Sequence, residues 1–252
     1  MIELNNIRAG YLATNVLNGV SLNVNKGEVL CIIGVNGCGK STLLKATAGL
    51  IPLRGGDIFI DGNNISTLSR GDIAKKIAYL SQERGIGDMT VEEAVLHGRF
   101  PHLSYPRRYL DKDKAIAKAN MAEMGIAHLA KNPLYTLSGG MRQNVYIAMA
   151  LTQCTDYILL DEPTTFLDVS HSLCVMKTLR RLAQGGKGIV AVMHDLPLAF
   201  NFAHKIAVLN NGVIECVLSP RELCNTQTIK NVFGTELFYS PESDLYAYKY
   251  KK

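Results

Sequence analysis

The sequence predicts an α/β fold: a mostly parallel sheet with flanking helices, an N-terminal antiparallel β-subdomain and an inserted α-helical subdomain. Three observations lead to this prediction. The short apolar runs "YILLD" (157–161) and "GIVAVM" (188–193) flank a helical stretch, which is typical of parallel strands buried on both faces. Alternating polar and apolar residues fill roughly the first 62 positions. The segment from about 89 to 133 has a helical pattern and few strand signals.

The elements can be assigned in chain order. Runs such as "VSLNV" and "DIFIDG" predict small antiparallel strands around one buried strand, 29–33. Residues 40–50 predict a helix, because apolar side chains recur on one face and a proline follows its end. Another helix is predicted at 169–183, and the apolar runs around "NNG" predict a hairpin that turns at 210–212. The C-terminal segment predicts a last hairpin, which turns at 241–244.

Composition and charge limit the class of protein. The chain is 47% hydrophobic and 19% charged, which is ordinary for a globular protein, and its net charge of +5 is too small to predict nucleic-acid binding. No apolar run approaches the roughly 20 residues that cross a bilayer, and no secretory signal is visible. The six cysteines include no C-x-x-C pair, which disfavours a zinc site or a disulfide framework. We expect a soluble chain in a reducing cytoplasm.

The stretch "GVNGCGKST" matches the pattern G-x-x-x-x-G-K-[ST] and lies between a predicted strand and a predicted helix, as that motif requires. Its glycines allow successive backbone N–H groups to point inward at the positive end of a helix, where phosphate binds. Lys40 would supply a mobile positive charge for the β- and γ-phosphates, and the Ser41 hydroxyl would supply a magnesium ligand. The predicted phosphate loop comprises Gly34, Asn36, Gly37, Cys38, Gly39, Lys40, Ser41 and Thr42.

Two acidic residues, Asp161 and Glu162, come at the end of the apolar run "YILLD". Beside the phosphate loop, the Asp161 carboxylate could hold magnesium through water, and Glu162 could orient or deprotonate an attacking water. The pair could instead be a helix cap ahead of "PTTFLD". Together with the loop, the two acids predict a nucleoside-triphosphate hydrolase, with ATP as the expected nucleotide.

A second glycine turn, "LSGGM" at 137–141, opens a predicted helix. Ser138 is a candidate N-cap, and Gly139 and Gly140 expose backbone N–H groups at the positive end of the helix dipole. Taken alone, the turn is equally consistent with a capped helix that binds no ligand. Its place among the other motifs is what gives it a function.

The order of phosphate loop, "LSGGM", "YILLDEP", "TTFLD" and a histidine after a buried strand resembles the nucleotide-binding subunit of ATP-binding-cassette (ABC) transporters. The resemblance covers essentially the whole chain. It implies a P-loop NTPase core, ATP hydrolysis coupled to transport, ATP and Mg²⁺ as ligands, and a position on the cytoplasmic face of the cell membrane. It also implies a head-to-tail pair, in which the "LSGGM" turn of one copy closes over ATP held by the phosphate loop of the other.

The same resemblance implies roles for further residues. Tyr11 would stack on adenine, although it could also be an ordinary strand aromatic. Gln82 would sense the γ-phosphate and magnesium, with a plain surface residue as the alternative. Asp168 would contact the facing subunit, and His194 would contact the γ-phosphate. Met141 stands where the family signature usually has Gln, which puts a side-chain contact at that position in doubt.

The segments "SQERGIGDMTVEEAVLHGRFPHLSYPRR" and "NVFGTELFYSPESDLYAYKY" resemble importers of iron–siderophore, haem and cobalamin. This implies membrane permeases that dock at 84–108, an extracytoplasmic substrate-binding protein as an indirect partner, and no nucleic acid. An ABC ATPase of another importer class, or one that does not transport, is the alternative. A P-loop kinase or GTPase would lack the "LSGG" helix.

The expected organisation is a single ABC ATPase domain over residues 1–252. Its nucleotide-binding core is predicted at about 1–87 and 151–224. The helical subdomain is predicted at 88–150, and it carries the signature turn, Ser138, Gly139 and Gly140 of the "LSGGM" stretch. A C-terminal extension is predicted at 225–252. The two glycine turns of one chain would thus serve two different nucleotides, and neither site would be complete in a single copy.

Overall fold

The computed structural model describes residues 1–249, with the exception of Ala13, Glu83, Arg84, Ile86 and Gly87. Its strands are β1 (Ile2–Tyr11), β2 (Thr14–Val24), β3 (Val29–Ile33), β4 (Leu53–Ile60), β5 (Asn63–Asn64), β6 (Ile77–Leu80), β7 (Tyr157–Asp161), β8 (Gly188–Val192), β9 (Lys205–Asn210), β10 (Val213–Leu218), β11 (Leu237–Ser240) and β12 (Leu245–Tyr248). Its α-helices are α1 (Lys40–Thr47), α2 (Arg70–Lys76), α3 (Val91–Leu96), α4 (Asp111–Glu123), α5 (Gly139–Thr152), α6 (Val169–Gln184), α7 (Leu196–Phe202), α8 (Pro220–Cys224) and α9 (Thr228–Phe233).

Within the described residues, a six-stranded sheet forms the centre of the fold, in the order β10-β9-β3-β8-β7-β6. Strands β3, β6, β7, β8 and β9 are parallel, and β10 returns antiparallel to β9 after the predicted turn. Every residue of β3, β7 and β8 is buried, which explains their continuously apolar sequences. Because parallel strands end at one edge of a sheet, the segments that follow β3, β7 and β8 come together there.

A second sheet, in the order β2-β1-β4-β5, is antiparallel and covers one face of the central sheet. It shares an apolar core with α1 and with Leu30 and Ile32 of β3, whereas Cys31 and Ile33 belong to the core on the helical side. This division follows from the two-residue period of a strand. The predicted fold class is confirmed, although β3 pairs in parallel with β8 and β9 and is not part of the antiparallel sheet.

A buried ion pair holds the inserted helices together. Arg99, which follows α3, places its Nε 2.9 Å from Oδ1 of Asp113 and donates from Nη1 to the backbone oxygen of Thr152 at 3.2 Å. The Asp113 carboxylate also accepts a 2.9 Å hydrogen bond from the N–H of Leu110, just before α4. The cluster therefore connects the end of α3, the start of α4 and the end of α5.

Most predicted elements are confirmed, with differences at their ends. The helix predicted at 40–50 ends at Thr47, because Gly49 takes a left-handed φ of +67°. The C-terminal hairpin forms between β11 and β12, and its Tyr246 exchanges hydrogen bonds of 2.9 and 3.1 Å with the side chain of Asn201 in α7. In the described part of the chain, no helix has the length and apolar character that a membrane span requires.

Asp61 anchors the N-terminus to the central sheet. Its carboxylate lies 2.8 Å from the ammonium nitrogen of Met1 and accepts a 2.7 Å hydrogen bond from the hydroxyl of Tyr157 in β7. Burial alone would raise the pKa of Asp61, but these two hydrogen bonds and the charge of Lys26 lower that pKa to about 2. Asp61 therefore stabilises the fold in its ionised form.

We expect Asp61→Asn to lower the free energy of unfolding at neutral pH by about 2 kcal/mol, because a lowered native pKa favours folding above the unfolded pKa. The difference from wild type should shrink as the pH falls from the usual aspartate pKa of 3.8 towards 2. Urea denaturation across this range checks the prediction. A difference that stays constant with pH would contradict it.

Candidate active site

The phosphate-loop stretch joins the end of β3 directly to the start of α1. Gly34 is packed so closely that an added Cβ would lie 2.2 Å from the backbone oxygen of Leu209, and Gly39 takes a left-handed φ of +108°. These two positions therefore need glycine. Cys38 is buried against Gly34, and burial raises the pKa of its thiol, so it fills space in the loop.

A cavity of about 620 Å³ lies over this loop. Its walls combine the loop with the segments that follow β6, β7 and β8, and they consist of Val16, Asn36, Gly37, Gly39, Lys40, Ser41, Thr42, Gln82, Glu162 and His194. The side chain of Lys40 is buried and donates to the backbone oxygens of Gly34 at 2.9 Å and Val35 at 3.1 Å. The structure thus brings a lysine, a glutamine, a glutamate and a histidine from distant parts of the chain to one cavity.

Ser41, which lines the cavity, contacts Asp161, which is buried and is not among the lining residues. The Ser41 hydroxyl donates to Oδ1 of Asp161 at 3.0 Å, across 120 positions of sequence. Burial at the end of β7 is the main cause that raises the pKa of Asp161, and the neighbouring charge of Glu162 adds to it, while the bond from Ser41 lowers it. A buried carboxylate beside a hydroxyl provides oxygen ligands of the kind that Mg²⁺ prefers.

The carboxylate of Glu162 is held by three side chains. Its Oε2 accepts hydrogen bonds from Nε2 of Gln82 at 2.7 Å and from Oγ1 of Thr165 at 2.9 Å, and its Oε1 lies 2.5 Å from Nε2 of His194. Glu162 also has a φ of +52°, in the left-handed region. Non-glycine residues in this region carry a conformational cost of roughly 1–3 kcal/mol and often lie at functional sites. Both observations show that the Glu162 carboxylate is held in one orientation.

The second glycine turn does not line this cavity. Ser138 caps α5, and its hydroxyl oxygen accepts the N–H of Met141 at 3.3 Å, so the predicted N-cap is confirmed. Ser138, Gly139 and Gly140 are not among the residues that line the 620 Å³ cavity. Gly139 instead borders a smaller cavity of about 210 Å³, which shares Gln82 and Glu162 with the large one.

Tyr11 and Asp168 also lie outside the lining of the large cavity. Tyr11 is half-exposed at the end of β1, and the turn that follows it is held by Arg54, which donates to the backbone oxygen of Leu12 and, at 2.9 Å, to Oδ1 of Asn15. Asp168 caps α6 and is exposed. Its pKa is lowered, first by the hydrogen bond from the backbone N–H of His171 and then by side-chain bonds from Ser170 and His171.

Sequence reasoning missed three residues that hold the predicted site residues in place. Thr165 orients Glu162, Arg54 holds the turn next to Tyr11, and His171 binds Asp168. Thr165 lies in the quoted run "TTFLD", three residues after Glu162, and this short spacing could have predicted its contact with Glu162. Arg54 and His171 carry no motif of their own, and their contacts depend on tertiary packing.

A phosphate loop at the carboxyl edge of a parallel sheet, with a buried lysine and an acid pair around it, defines a P-loop nucleoside-triphosphate hydrolase. A family model described as "ABC transporter" matches residues 17–165 of the chain. The chain belongs to the ABC transporter family. It is an ATP-binding and ATP-hydrolysing component of a transporter, which confirms the predicted family and enzyme class.

Relatives and solved structures agree with this assignment. The iron(3+)-hydroxamate import ATP-binding protein FhuC of Bacillus subtilis is 39% identical over 226 residues, which cover 89% of this chain and 84% of that protein. The ferric enterobactin transport ATP-binding protein FepC of Escherichia coli is 37% identical and covers the same shares, 89% and 84%. The achromobactin transport ATP-binding protein CbrD of Dickeya dadantii is 36% identical, with shares of 92% and 87%.

Two solved structures are similar over nearly the whole fold. One, assigned to the metal-chelate type of ABC transporter and captured in an inward-facing conformation, has a TM-score of 0.84 and 27% identity, and covers 99% of this chain and 98% of its own. The other, the ADP conformation of the ATP-binding cassette MJ1267, has a TM-score of 0.83 and 25% identity, and covers 93% and 97%.

Proposed function

We propose that this chain powers the import of an iron chelate, such as an iron–siderophore or haem, or of cobalamin, through partner membrane permeases. The names of its relatives carry the proposal, because they describe iron(3+)-hydroxamate import, achromobactin transport, ferric enterobactin transport and petrobactin import. These names favour an iron–siderophore among the candidate cargoes. An ABC ATPase of another importer class, or one that does not transport, is the alternative.

Nucleotide binding is proposed to take place in the 620 Å³ cavity. Lys40 would leave the loop carbonyls and contact the β- and γ-phosphates, and the loop from Gly34 to Thr42 would donate its backbone N–H groups. Ser41, Asp161 and Gln82 would hold Mg²⁺, which when bound neutralises charge on the β- and γ-phosphates. The Ser41–Asp161 contact of 3.0 Å supports this, since the two oxygens already lie together.

Glu162 is proposed to be the general base that takes a proton from the attacking water. The contacts from Gln82 and Thr165 would keep its carboxylate oriented, and His194 would contact the γ-phosphate once the nucleotide enters. A base fixed by several hydrogen bonds loses little orientation freedom at the moment of reaction, which lowers the barrier.

A second copy of the chain is proposed to complete each site. In the described residues, the signature turn 138–140 does not line its own phosphate cavity, which supports a role at the cavity of another copy. In the head-to-tail pair, Ser138 and the N–H groups of Gly139 and Gly140 would bind the partner's ATP, Tyr11 would stack on adenine, and Asp168 would contact the facing subunit. The core (1–87 and 151–224), the helical subdomain (88–150) and the C-terminal extension (225–252) are proposed as the parts of this unit.

The permease contact is proposed in an apolar groove of about 380 Å³. It lies between the core and the inserted helices, and its lining includes Gly49, Leu50, Ile73, His97, Phe100, Met149 and Gln153. Part of the predicted docking segment, 84–108, contributes to this groove, while Arg84, Ile86 and Gly87 fall outside the described residues. Leu50 and Phe100 are 55% and 44% exposed, so apolar surface is available to a partner.

Leu50→Glu is expected to abolish co-purification with a co-expressed siderophore permease, because a charge in an apolar contact must be desolvated without a partner. ATP binding by the isolated chain should stay unchanged, because Leu50 does not line the phosphate cavity. Leu245→Glu is the matched control, since Leu245 is similarly exposed, at 49%, and lies in β12. Equal permease recovery for both variants would argue against this groove.

The function itself is tested by reconstituting the chain in vesicles with a siderophore permease and its substrate-binding protein. We expect ATP hydrolysis and uptake to rise when the binding protein carries a ferric siderophore, with haem and cobalamin as parallel arms. If the chain attaches peripherally through the permease, it should sediment with vesicles that contain permease and stay in the supernatant with vesicles that lack it. Stimulation by DNA or ribosomes, and not by the loaded binding protein, would favour a non-transport ATPase.

A further inference from the structure

His171 connects two motifs within one subunit. Its Nδ1 lies 2.8 Å from Oδ2 of Asp168, and its backbone N–H donates to Oδ1 of Asp168, also at 2.8 Å. Its ring lies against Gly140 of the signature turn, where an added Cβ would come within 2.4 Å of Cδ2 and 2.8 Å of Cγ. The imidazole thus occupies the space that any side chain at position 140 would need.

The first glycine of the turn rests on the same segment. A Cβ at Gly139 would lie 3.6 Å from the backbone oxygen of Phe166 and 3.9 Å from Cδ2 of Leu167. Both glycines therefore face the stretch 166–171, which comprises the end of the loop after β7 and the start of α6. The turn 138–140 therefore packs against the segment 166–171 (the Asp168 loop), and the His171 side chain contacts both Gly140 and Asp168.

Stability does not explain this arrangement. The side chains of His171 and Asp168 are 48% and 64% exposed, so solvent screens their contact and it adds little to the stability of the fold. The contact matters more for positioning the donors of the signature turn. Donors that must reach a phosphate tolerate little displacement, and a shift of about 1 Å can cost ~10²-fold in rate.

We propose that His171 is a positioning residue that fixes the signature turn (138–140) to the Asp168 loop, so that both reach the partner's nucleotide as one unit. The inference rests on the head-to-tail pair proposed above. Through the Nδ1 bond, Asp168 sets the plane of the imidazole, and through the ring, the imidazole sets the position of Gly140. Loss of His171 leaves the phosphate cavity of its own chain unchanged and weakens the contribution to the other copy.

The test uses the full-length chain with Glu162→Gln, which is expected to bind ATP without hydrolysing it, and measures ATP-dependent dimerisation by sedimentation velocity. We expect His171→Ala to raise the dimer dissociation constant roughly 10- to 100-fold. His171→Asn should have a smaller effect, because its amide N–H can replace Nδ1 as the donor to Asp168. Binding of a fluorescent ATP analogue to the single chain should remain within about twofold of the parent. His128→Ala, at another exposed histidine, is the matched control and should change nothing.

A double-mutant cycle tests the contact with Gly140. The methyl of Gly140→Ala would collide with the imidazole, so His171→Ala should recover part of the dimerisation that Gly140→Ala loses. Additive effects, or a His171→Ala dimer as tight as the parent, would overturn the proposed role of His171 and leave the head-to-tail pair standing. Failure of the Glu162→Gln parent to dimerise with ATP would instead remove the proposed pair, and the inference with it.

Discussion

Glu162→Gln is expected to reduce ATP hydrolysis by roughly 10²- to 10⁴-fold, the range in which a general base contributes to catalysis. The amide keeps the size of the side chain and can still accept a hydrogen bond from Gln82 or Thr165, but it cannot take a proton from water. ATP binding should therefore be retained. Phosphate release under saturating ATP and equilibrium binding of ATP, measured on the same preparation, check the two halves of the prediction.

Glu242→Gln is the control for this substitution, because Glu242 is exposed and lies in the turn of the C-terminal hairpin. It should hydrolyse ATP at the wild-type rate. A Glu162→Gln chain that hydrolyses normally would exclude Glu162 as the base. Loss of ATP binding in this variant would contradict the assignment of Glu162 to the chemical step alone.

Lys40→Ala should remove both tight ATP binding and hydrolysis. Lys40 is the buried cation in the lining of the phosphate cavity, and its Nζ donates hydrogen bonds to backbone oxygens of the loop. Deleting one preorganised charged donor in such a site costs ~10²–10³ in rate, or roughly 2.7–4 kcal/mol. Isothermal titration with ATP and a steady-state assay of phosphate release measure the two effects.

Lys118→Ala is the matched charge removal, at an exposed position of α4. It should bind and hydrolyse ATP like the wild type. Unchanged circular dichroism and melting of Lys40→Ala would separate a binding defect from a folding defect. Retention of wild-type ATP affinity by Lys40→Ala would contradict the assignment of the 620 Å³ cavity as the phosphate site.

The sequence predicted those parts of the site that lie in a run of neighbouring residues. The phosphate loop, the acids after β7 and the histidine after β8 each follow a buried apolar strand, and parallel strands bring their ends to one edge. Lys40, Ser41 and the acids after β7 could therefore be placed near one another from the sequence pattern, whereas the role of His194 was implied by the family resemblance. Gln82 was also implied by the family resemblance, and it reaches the cavity because β6 is the next parallel strand beyond β7, a strand that the short run 77–80 did not signal.

Contacts between side chains from separate segments were not predictable. His171 lies on the face of α6 that meets the signature turn, and no spacing in the sequence relates it to Gly140. Arg54 reaches the turn beside Tyr11 only because β4 pairs with β1. Apolar periodicity predicts which residues are buried, but it does not predict which polar groups meet across two elements.

Helix α5 connects the two surfaces on which the proposed function depends. Its N-terminus carries the signature turn, while Met149 and Gln153 at its other end border the proposed permease groove. Fourteen residues of α-helix extend about 21 Å. The side chain of Gln153 also donates to the backbone oxygen of Ile77 at 3.0 Å, so the groove end of α5 is attached to the core. A displacement of the groove by a permease would therefore act on the same helix that presents Ser138.

The central claim is that each ATP site is shared by two copies, and a mixing experiment tests it most directly. Lys40→Ala leaves the signature turn intact, and Ser138→Glu, which sets a carboxylate where phosphate must approach, leaves the phosphate loop intact. Each variant alone should be nearly inactive. Mixed in equal amounts, they should regain up to about a quarter of wild-type hydrolysis. Random pairing makes about half of the dimers mixed, and each mixed dimer has one intact site of its two. A mixture no more active than the average of the two variants would contradict the shared site.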